Sequence, residues 1–158
     1  MIKETQASDL LCANKRIFST LTLYESFVGF AKGQLYRMEH QAFQSYMGNN
    51  RKKLVEKYGY DTKNALHLIR LMRMCVEFLD SGELIVERPD ASELLEIKHG
   101  KYSLDEIKQM AEELFVKAED AKRKSRLPEK TDSVFANSVC EKIVRKAQAL
   151  RSKNDNIY

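Results

Sequence analysis

The stretch that decides the fold is residues 58–79, YGYDTKNALHLIRLMRMCVEFL. Asp61 precedes a run of apolar residues at helical spacing, and its carboxylate is a good acceptor for the free amide groups of a first helical turn. Gly82 follows the run, where a glycine in the left-handed conformation commonly ends a helix. We expect one amphipathic helix here, with a core-facing side formed by Ala65, Leu68, Ile69, Met72, Val76 and Leu79.

The polar side of this helix carries a cationic stripe. Lys63, His67 and Arg70 fall at positions i, i+4 and i+7 and therefore stack along one face, with Arg73 on the adjacent row. Such a stripe, directly after a capped turn, can hold phosphate groups. The alternative is a solvated face, since a helix that packs on a core must show polar residues on its other side. On composition alone the solvated face is the favoured interpretation.

Positive charge is concentrated around this helix. The whole chain has a formal net charge of +4, whereas the segment from Gly48 to Arg73 holds seven basic and two acidic residues, a local charge of +5. The basic residues are Arg51, Lys52, Lys53, Lys57, Lys63, Arg70 and Arg73. A local basic field favours an anionic partner, which is a nucleotide, a nucleic acid or an acidic protein.

Composition limits the class of protein. The chain has 158 residues, of which 43% are hydrophobic and 32% charged, with only six glycines and two prolines. These values are typical of one helical domain with a real core. We expect no transmembrane span and no secretory signal, because no apolar run approaches about 20 residues. Three widely spaced cysteines (Cys12, Cys75 and Cys140) indicate reduced thiols and a cytoplasmic location.

The remaining chain also has helical patterns. Capping-box sequences begin at Thr22 and Ser103, and residues 83–90 form the only extended segment. Gly29 and Gly33 lie on one flank of a helix predicted over 22–45, where we expect another backbone to approach closely. The predicted fold is an all-α compact bundle of about five or six helices with one short extended segment. Its predicted parts are an N-terminal arm (1–19), a helical domain (20–151) and a tail (152–158).

Catalytic motifs are missing from the sequence. Neither phosphate-loop pattern, G-x-x-x-x-G-K-[ST] or G-x-G-x-x-G, is present, and there is no D-x-D pair or H-E-x-x-H motif. No spacing of Ser, His and Asp suggests a nucleophile elbow. We therefore predict no catalytic residue and no metal ligand in this chain.

Several ordered segments resemble predicted nucleotidyltransferases of the DNA polymerase beta superfamily, a family common in bacteria and phages. The similar segments are residues 30–35, 51–65, 67–71, 82–90, 100–103 and 127–130. The resemblance extends over roughly residues 18–151, but only to the C-terminal helical half of that family. Full-length members begin with an α/β catalytic domain whose Gly-Ser turn and Asp-x-Asp pair hold metal-bound triphosphate, and this sequence has neither.

The resemblance implies a role in binding. In the superfamily the helical half forms one wall of the nucleotide cleft and supplies cationic and aromatic contacts. Carried over residue by residue, these contacts would come from Lys63, His67, Arg70 and Tyr60, with Arg73 and Lys32 as further candidates. Asn64 stands where the family often has histidine. No cofactor is expected on this chain alone; Mg²⁺ with a nucleoside triphosphate is expected only with a catalytic partner.

Two classes of function follow. In the first, the chain is a nucleotide- or nucleic-acid-binding module that works with a separately encoded catalytic half. In the second, it is a non-catalytic interaction protein, for example a phage-encoded inhibitor or decoy, that binds a protein partner through its basic face.

Overall fold

The computed structural model describes residues 6–40 and 48–155, and over these ranges the chain is all-α without a strand. Seven α-helices follow one another, with a 3-10 helix at Lys15–Phe18 between the first two. They are α1 (Gln6–Ala13), α2 (Thr22–Glu39), α3 (Asn49–Tyr58), α4 (Thr62–Ser81), α5 (Ala91–Lys98), α6 (Leu104–Lys124) and α7 (Ser133–Asp155). The predicted fold class is confirmed, with more helices than the five or six expected. Among the described helices, none has the length and apolar character needed to cross a membrane.

The larger of two compact units, Leu21–Leu127, is built around α4. This helix contacts α2, α3, α5 and α6, so it is enclosed on more sides than a surface helix. Its fully buried residues include Leu68, Ile69 and Met72, as predicted, and also Cys75. Val76, predicted to face the core, is only partly buried. The buried face is wider than one stripe because helices pack on α4 from several directions.

The second unit combines the residues up to Thr20 with those from Pro128 onward. Here α7 packs against α1, and Ala136 and Val139 are its buried apolar residues. Cys140, on the same helix, is exposed. The predicted division into arm, domain and tail stays a prediction; the structure adds that the last helix packs with the first. The predicted end of α2 at Ser45 lies outside the described residues.

Local capping signals explain the start of two helices of the larger unit, α4 and α6, and the end of α4. The Asp61 carboxylate accepts the amide N–H groups of Lys63 and Asn64, and Gly82 ends α4 in the left-handed conformation at φ 74°. Ser103 and Glu106 form the predicted capping box of α6. The box predicted at Thr22 is wrong: Leu21 occupies the N-cap position of α2 in helical conformation and makes no side-chain cap.

The glycines of α2 do not serve the close packing that was predicted for them. Among the described residues, a Cβ built at Gly29 meets nothing within 4 Å, and one at Gly33 meets only the flexible end of Arg37 at 3.6 Å. The close approach lies elsewhere, at Gly100, where a Cβ would stand 2.1 Å from Cδ1 of the Tyr58 ring. Gly100 therefore lets the end of α3 contact the turn between α5 and α6.

Candidate phosphate-binding site

The corner between α3 and α4 is held in a fixed shape. Gly59 ends α3 with φ 81°, and α4 begins at Thr62 after its N-cap, Asp61. The Tyr60 hydroxyl donates to the backbone oxygen of Tyr102 at 2.6 Å, and the Thr62 hydroxyl donates to the backbone oxygen of Lys98 at 2.9 Å. Both bonds connect the corner to residues around the end of α5, so the first turn of α4 has a defined position.

Asp61 is the buried acid of this corner. Its side chain is 2% exposed, and Oδ1 accepts two backbone N–H groups at 3.1 Å each. The other oxygen, Oδ2, lies 3.7 Å from Nε of Arg51 on α3, a separation too long for a hydrogen bond. Asp61 thus begins one helix and attracts a cation from the preceding one.

Four basic side chains gather on the outer side of the corner. Lys63 is exposed, whereas His67 and Arg70 are half-buried on the same face of α4. Arg51 joins them from α3, with 39% of its side chain exposed. Within the described ranges, Nε of Arg70 is buried and has no hydrogen-bond partner. The predicted stripe is therefore a cluster drawn from two helices.

Burial and the nearby charges both act on the pKa of His67. Burial lowers the pKa below its ordinary value, and three nearby cations lower it further. In decreasing order these are Lys63, Arg51 and Arg70, while Asp61 acts in the opposite direction. The imidazole is thereby kept neutral near pH 7, with one nitrogen that donates and one that accepts.

This arrangement is suited to an anion. Three fixed cations close together repel one another, and an anion between them would relieve that repulsion. The buried Nε of Arg70 is a donor that needs an acceptor, because an unsatisfied buried donor is costly. An open depression lined by Gly48, Asn49, Asn50 and Arg51 lies at the start of α3. Phosphate oxygens, which accept strong charge-assisted hydrogen bonds, are the kind of group that fits.

Arg73 does not belong to this cluster. Its guanidinium donates to Asp90 at 2.6 Å and to both carboxylate oxygens of Glu93 at 2.9 Å. Arg88 extends this network, donating to Glu77 at 2.5 and 2.9 Å and to Asp90 at 2.8 Å. The network attaches α4 to the connector and α5. The predicted phosphate contact at Arg73 is corrected to an ion-pair role, because its donors are already used inside the chain.

Tyr60 and Lys32 also lie apart from the cluster. Tyr60 is 2% exposed and packs in the core, so its ring cannot stack on a base. Lys32 is an exposed residue of α2, and its ammonium lies over the Phe115 ring of α6, 5.9 Å from the centroid. The structure therefore brings together three of the six predicted residues, Lys63, His67 and Arg70.

Arg51 is the residue that sequence reasoning missed as a contact. It was counted within the basic segment, but nothing in a run of Arg51, Lys52 and Lys53 tells which of the three turns toward α4. Arg51 lies in the first turn of α3, seven residues before the helix ends at Tyr58. The short corner folds α3 back on α4 and brings that turn close to Asp61.

The described residues hold no group of three or more His, Cys, Asp or Glu side chains arranged to bind a metal ion. The three cysteines are unpaired. No protein-family model matches the chain, and no curated protein or solved structure does so either.

Proposed function

We propose that this chain is a helical module that binds the phosphate groups of a nucleotide or nucleic acid. The site is the α3–α4 corner, with Lys63, Arg70 and Arg51 as cationic contacts and His67 between them. In this proposal the corner forms one wall of a nucleotide cleft, and a separately encoded catalytic half supplies the other. Any Mg²⁺ would arrive with a nucleoside triphosphate and that second half.

One observation carries the proposal. Lys63 and Arg70 share one face of α4 with His67, Arg51 reaches the same corner from α3, and the buried Asp61 is the opposing charge with the largest effect on the histidine. Some exposed lysines of this protein are held in ion pairs. Lys101, Lys108 and Lys122 each pair with a glutamate at 3.0 Å or less. Lys63 and Arg70 make no such pair within the described ranges, which supports a role toward an external anion.

The resemblance to the helical half of nucleotidyltransferases supports the same proposal independently, because its longest similar segment, residues 51–65, is the corner itself. A cytoplasmic location belongs to the proposal and is supported by the unpaired cysteines.

The test compares two matched double variants. In Lys63→Ala/Arg70→Ala the altered residues are seven apart on α4. In Lys117→Ala/Lys124→Ala they are seven apart and exposed on α6. Binding of ATP, GTP and a short RNA is measured by calorimetry, with thermal shift as a second readout. We expect the α4 variant to bind at least about tenfold more weakly, and the α6 variant to bind like the wild type. An equal response of both variants and the wild type would overturn the proposal.

The second candidate, an interaction protein, is favoured by the local charge of +5 between Gly48 and Arg73. It predicts a stable complex with an acidic protein partner and no response to nucleotide or RNA. Mass spectrometry of whatever copurifies with the full chain distinguishes the two candidates, because the first predicts a bound small molecule or a nucleotidyltransferase-like partner.

A further inference from the structure

The histidine of the α3–α4 corner has an unusual position among fixed charges. His67 lies one turn from Lys63 and about one turn from Arg70 on the same face of α4, and Arg51 of α3 places its Nε 3.7 Å from Oδ2 of Asp61, the N-cap of α4. With Asp61, the fixed charges around the imidazole are three positive and one negative. The only group of this cluster that changes its charge near neutral pH is therefore surrounded mainly by cations.

We propose that this corner selects a terminal, dianionic phosphate over a phosphodiester and takes up one proton on His67 when it binds. This inference rests on the proposed function and names the chemical class of its ligand. A terminal phosphate carries nearly two negative charges at pH 7, whereas a diester carries one. The fixed charges of Lys63, Arg70, Arg51 and Asp61 sum to 3 − 1 = +2, which is opposite to the charge of a dianion. The electrostatic attraction grows in proportion to the ligand's charge.

Proton uptake follows from the same charges. In the free protein, burial and the three cations lower the pKa of His67. A dianion placed among those cations reverses the sign of the local field and favours the protonated ring. The protonated imidazole donates from both nitrogens, whereas the neutral ring donates from one, so the proton adds a hydrogen-bond donor toward the phosphate.

Four charged groups act on the pKa of His67. Lys63 and Arg70 act on the ring from α4, Arg51 acts from α3, and Asp61 acts from the N-cap of α4. The proton linkage therefore belongs to the corner and is removed by changing His67 alone.

The experiment uses AMP and cyclic AMP, which share a base and a sugar but carry a phosphate monoester and a phosphodiester. Binding to the full-length protein is measured by calorimetry between about pH 8 and pH 6.5, where AMP remains largely dianionic. Two buffers with different ionisation enthalpies give the number of protons taken up. We expect AMP to bind at least about tenfold more tightly than cyclic AMP, with net uptake of up to about one proton.

Two histidine variants complete the design. In His67→Gln we expect the proton uptake to disappear, together with the rise of AMP affinity toward lower pH. The control is His99→Gln, because His99 is exposed at the end of α5 and should leave both unchanged.

The outcomes separate the two proposals. Equal binding of AMP and cyclic AMP overturns the selectivity for a dianion, and AMP binding without proton uptake overturns the protonation of His67; either result leaves phosphate binding at the corner intact. Proton uptake that survives in His67→Gln overturns the assignment to His67. No response of the wild type to AMP, ATP or RNA overturns the proposed function and this inference with it.

Discussion

The guanidinium of Arg73 donates one hydrogen bond to each carboxylate oxygen of Glu93, both at 2.9 Å. This two-point contact joins the middle of α4 to the first turn of α5. Hydrogen bonding to Glu93 and Asp90 raises the pKa of Arg73 against the opposing effect of burial. Although Arg73 lies on the polar side of α4, its contact with Glu93 therefore stabilises the packing of α4 with α5, and Arg73 takes no part in the α3–α4 corner.

Arg73→Ala should lower the free energy of unfolding by about 1–3 kcal/mol, because it removes charge-assisted hydrogen bonds and leaves Asp90 without one of its cations. Urea unfolding measures the change. Lys63→Ala, on the exposed side of the same helix, is the control and should stay within about 0.5 kcal/mol of the wild type. Phosphate binding should be unchanged in Arg73→Ala. If Arg73→Ala weakened phosphate binding without lowering the free energy of unfolding, Arg73 would belong to the binding site.

Acid should weaken the same network. Burial opposes ionisation of Asp90, but hydrogen bonds from Arg88 and Arg73 outweigh it and lower the pKa of Asp90 to about 2. A carboxylate with a lowered folded-state pKa stabilises the protein above its unfolded pKa of about 4, and this contribution disappears as the pH falls through about 2. We expect Asp90 to contribute on the order of 2 kcal/mol to this loss.

Chemical unfolding at several pH values between about 5 and 2 checks this expectation. Asp90→Asn keeps the shape of the side chain and should be less stable at neutral pH, with a shallower loss of stability in acid. An equally steep loss in Asp90→Asn would assign the acid sensitivity to other carboxylates, with Glu93 the first to examine, because hydrogen bonding to Arg73 also lowers its pKa.

Two glycine substitutions should have opposite signs. Gly29→Ala lies in the interior of α2 with open space around its Cβ, so it should stabilise the protein by about 0.5–1 kcal/mol through helix propensity. Gly100→Ala should destabilise it by more than about 1 kcal/mol, because φ is 73° and the new Cβ would overlap the Tyr58 ring. Thermal unfolding of the two variants side by side measures both effects. A stable Gly100→Ala would mean that the contact with Tyr58 is not required.

Asp61 should influence both the helix and the histidine. Asp61→Ala removes the N-cap of α4 and should lower stability by about 1–2 kcal/mol. Asp61→Asn keeps an oxygen acceptor but loses the negative charge that raises the pKa of His67, so this pKa should fall. An NMR titration of the His67 ring measures the shift. An unchanged or raised pKa in Asp61→Asn would show that the carboxylate does not act on the imidazole.

Much of the fold could be predicted because its signals are local. Asp61 and Gly82 mark the ends of α4, and Ser103 with Glu106 marks the start of α6; each uses groups within one helical turn. The same approach failed at Thr22, where the pattern is present but Glu25 instead accepts a hydrogen bond from Lys122 of α6 at 2.7 Å. Lys122 therefore binds the Glu25 carboxylate that the capping box at Thr22 would have used.

The candidate site was predicted in part. Helical spacing is enough to align Lys63, His67 and Arg70, since all three belong to one helix. Helical spacing could not show that Arg73 faces α5 and pairs with Glu93 there. It also could not identify Arg51, because that residue comes from another helix, α3. Only the family resemblance made Tyr60 a candidate contact; in the structure its hydroxyl donates to Tyr102, 42 residues further along the chain, and its ring is buried in the core.

The sequence by itself determined that this chain is helical, where α4 begins and ends, and which of its cations share a face, because backbone capping and the helical period act over a few residues. Only the tertiary structure decided which cations remain available to an anion. A side chain's partner depends on which helix packs beside it: Arg73 meets the acids of α5, while Lys63 and Arg70 meet another cation, Arg51, around a neutral histidine.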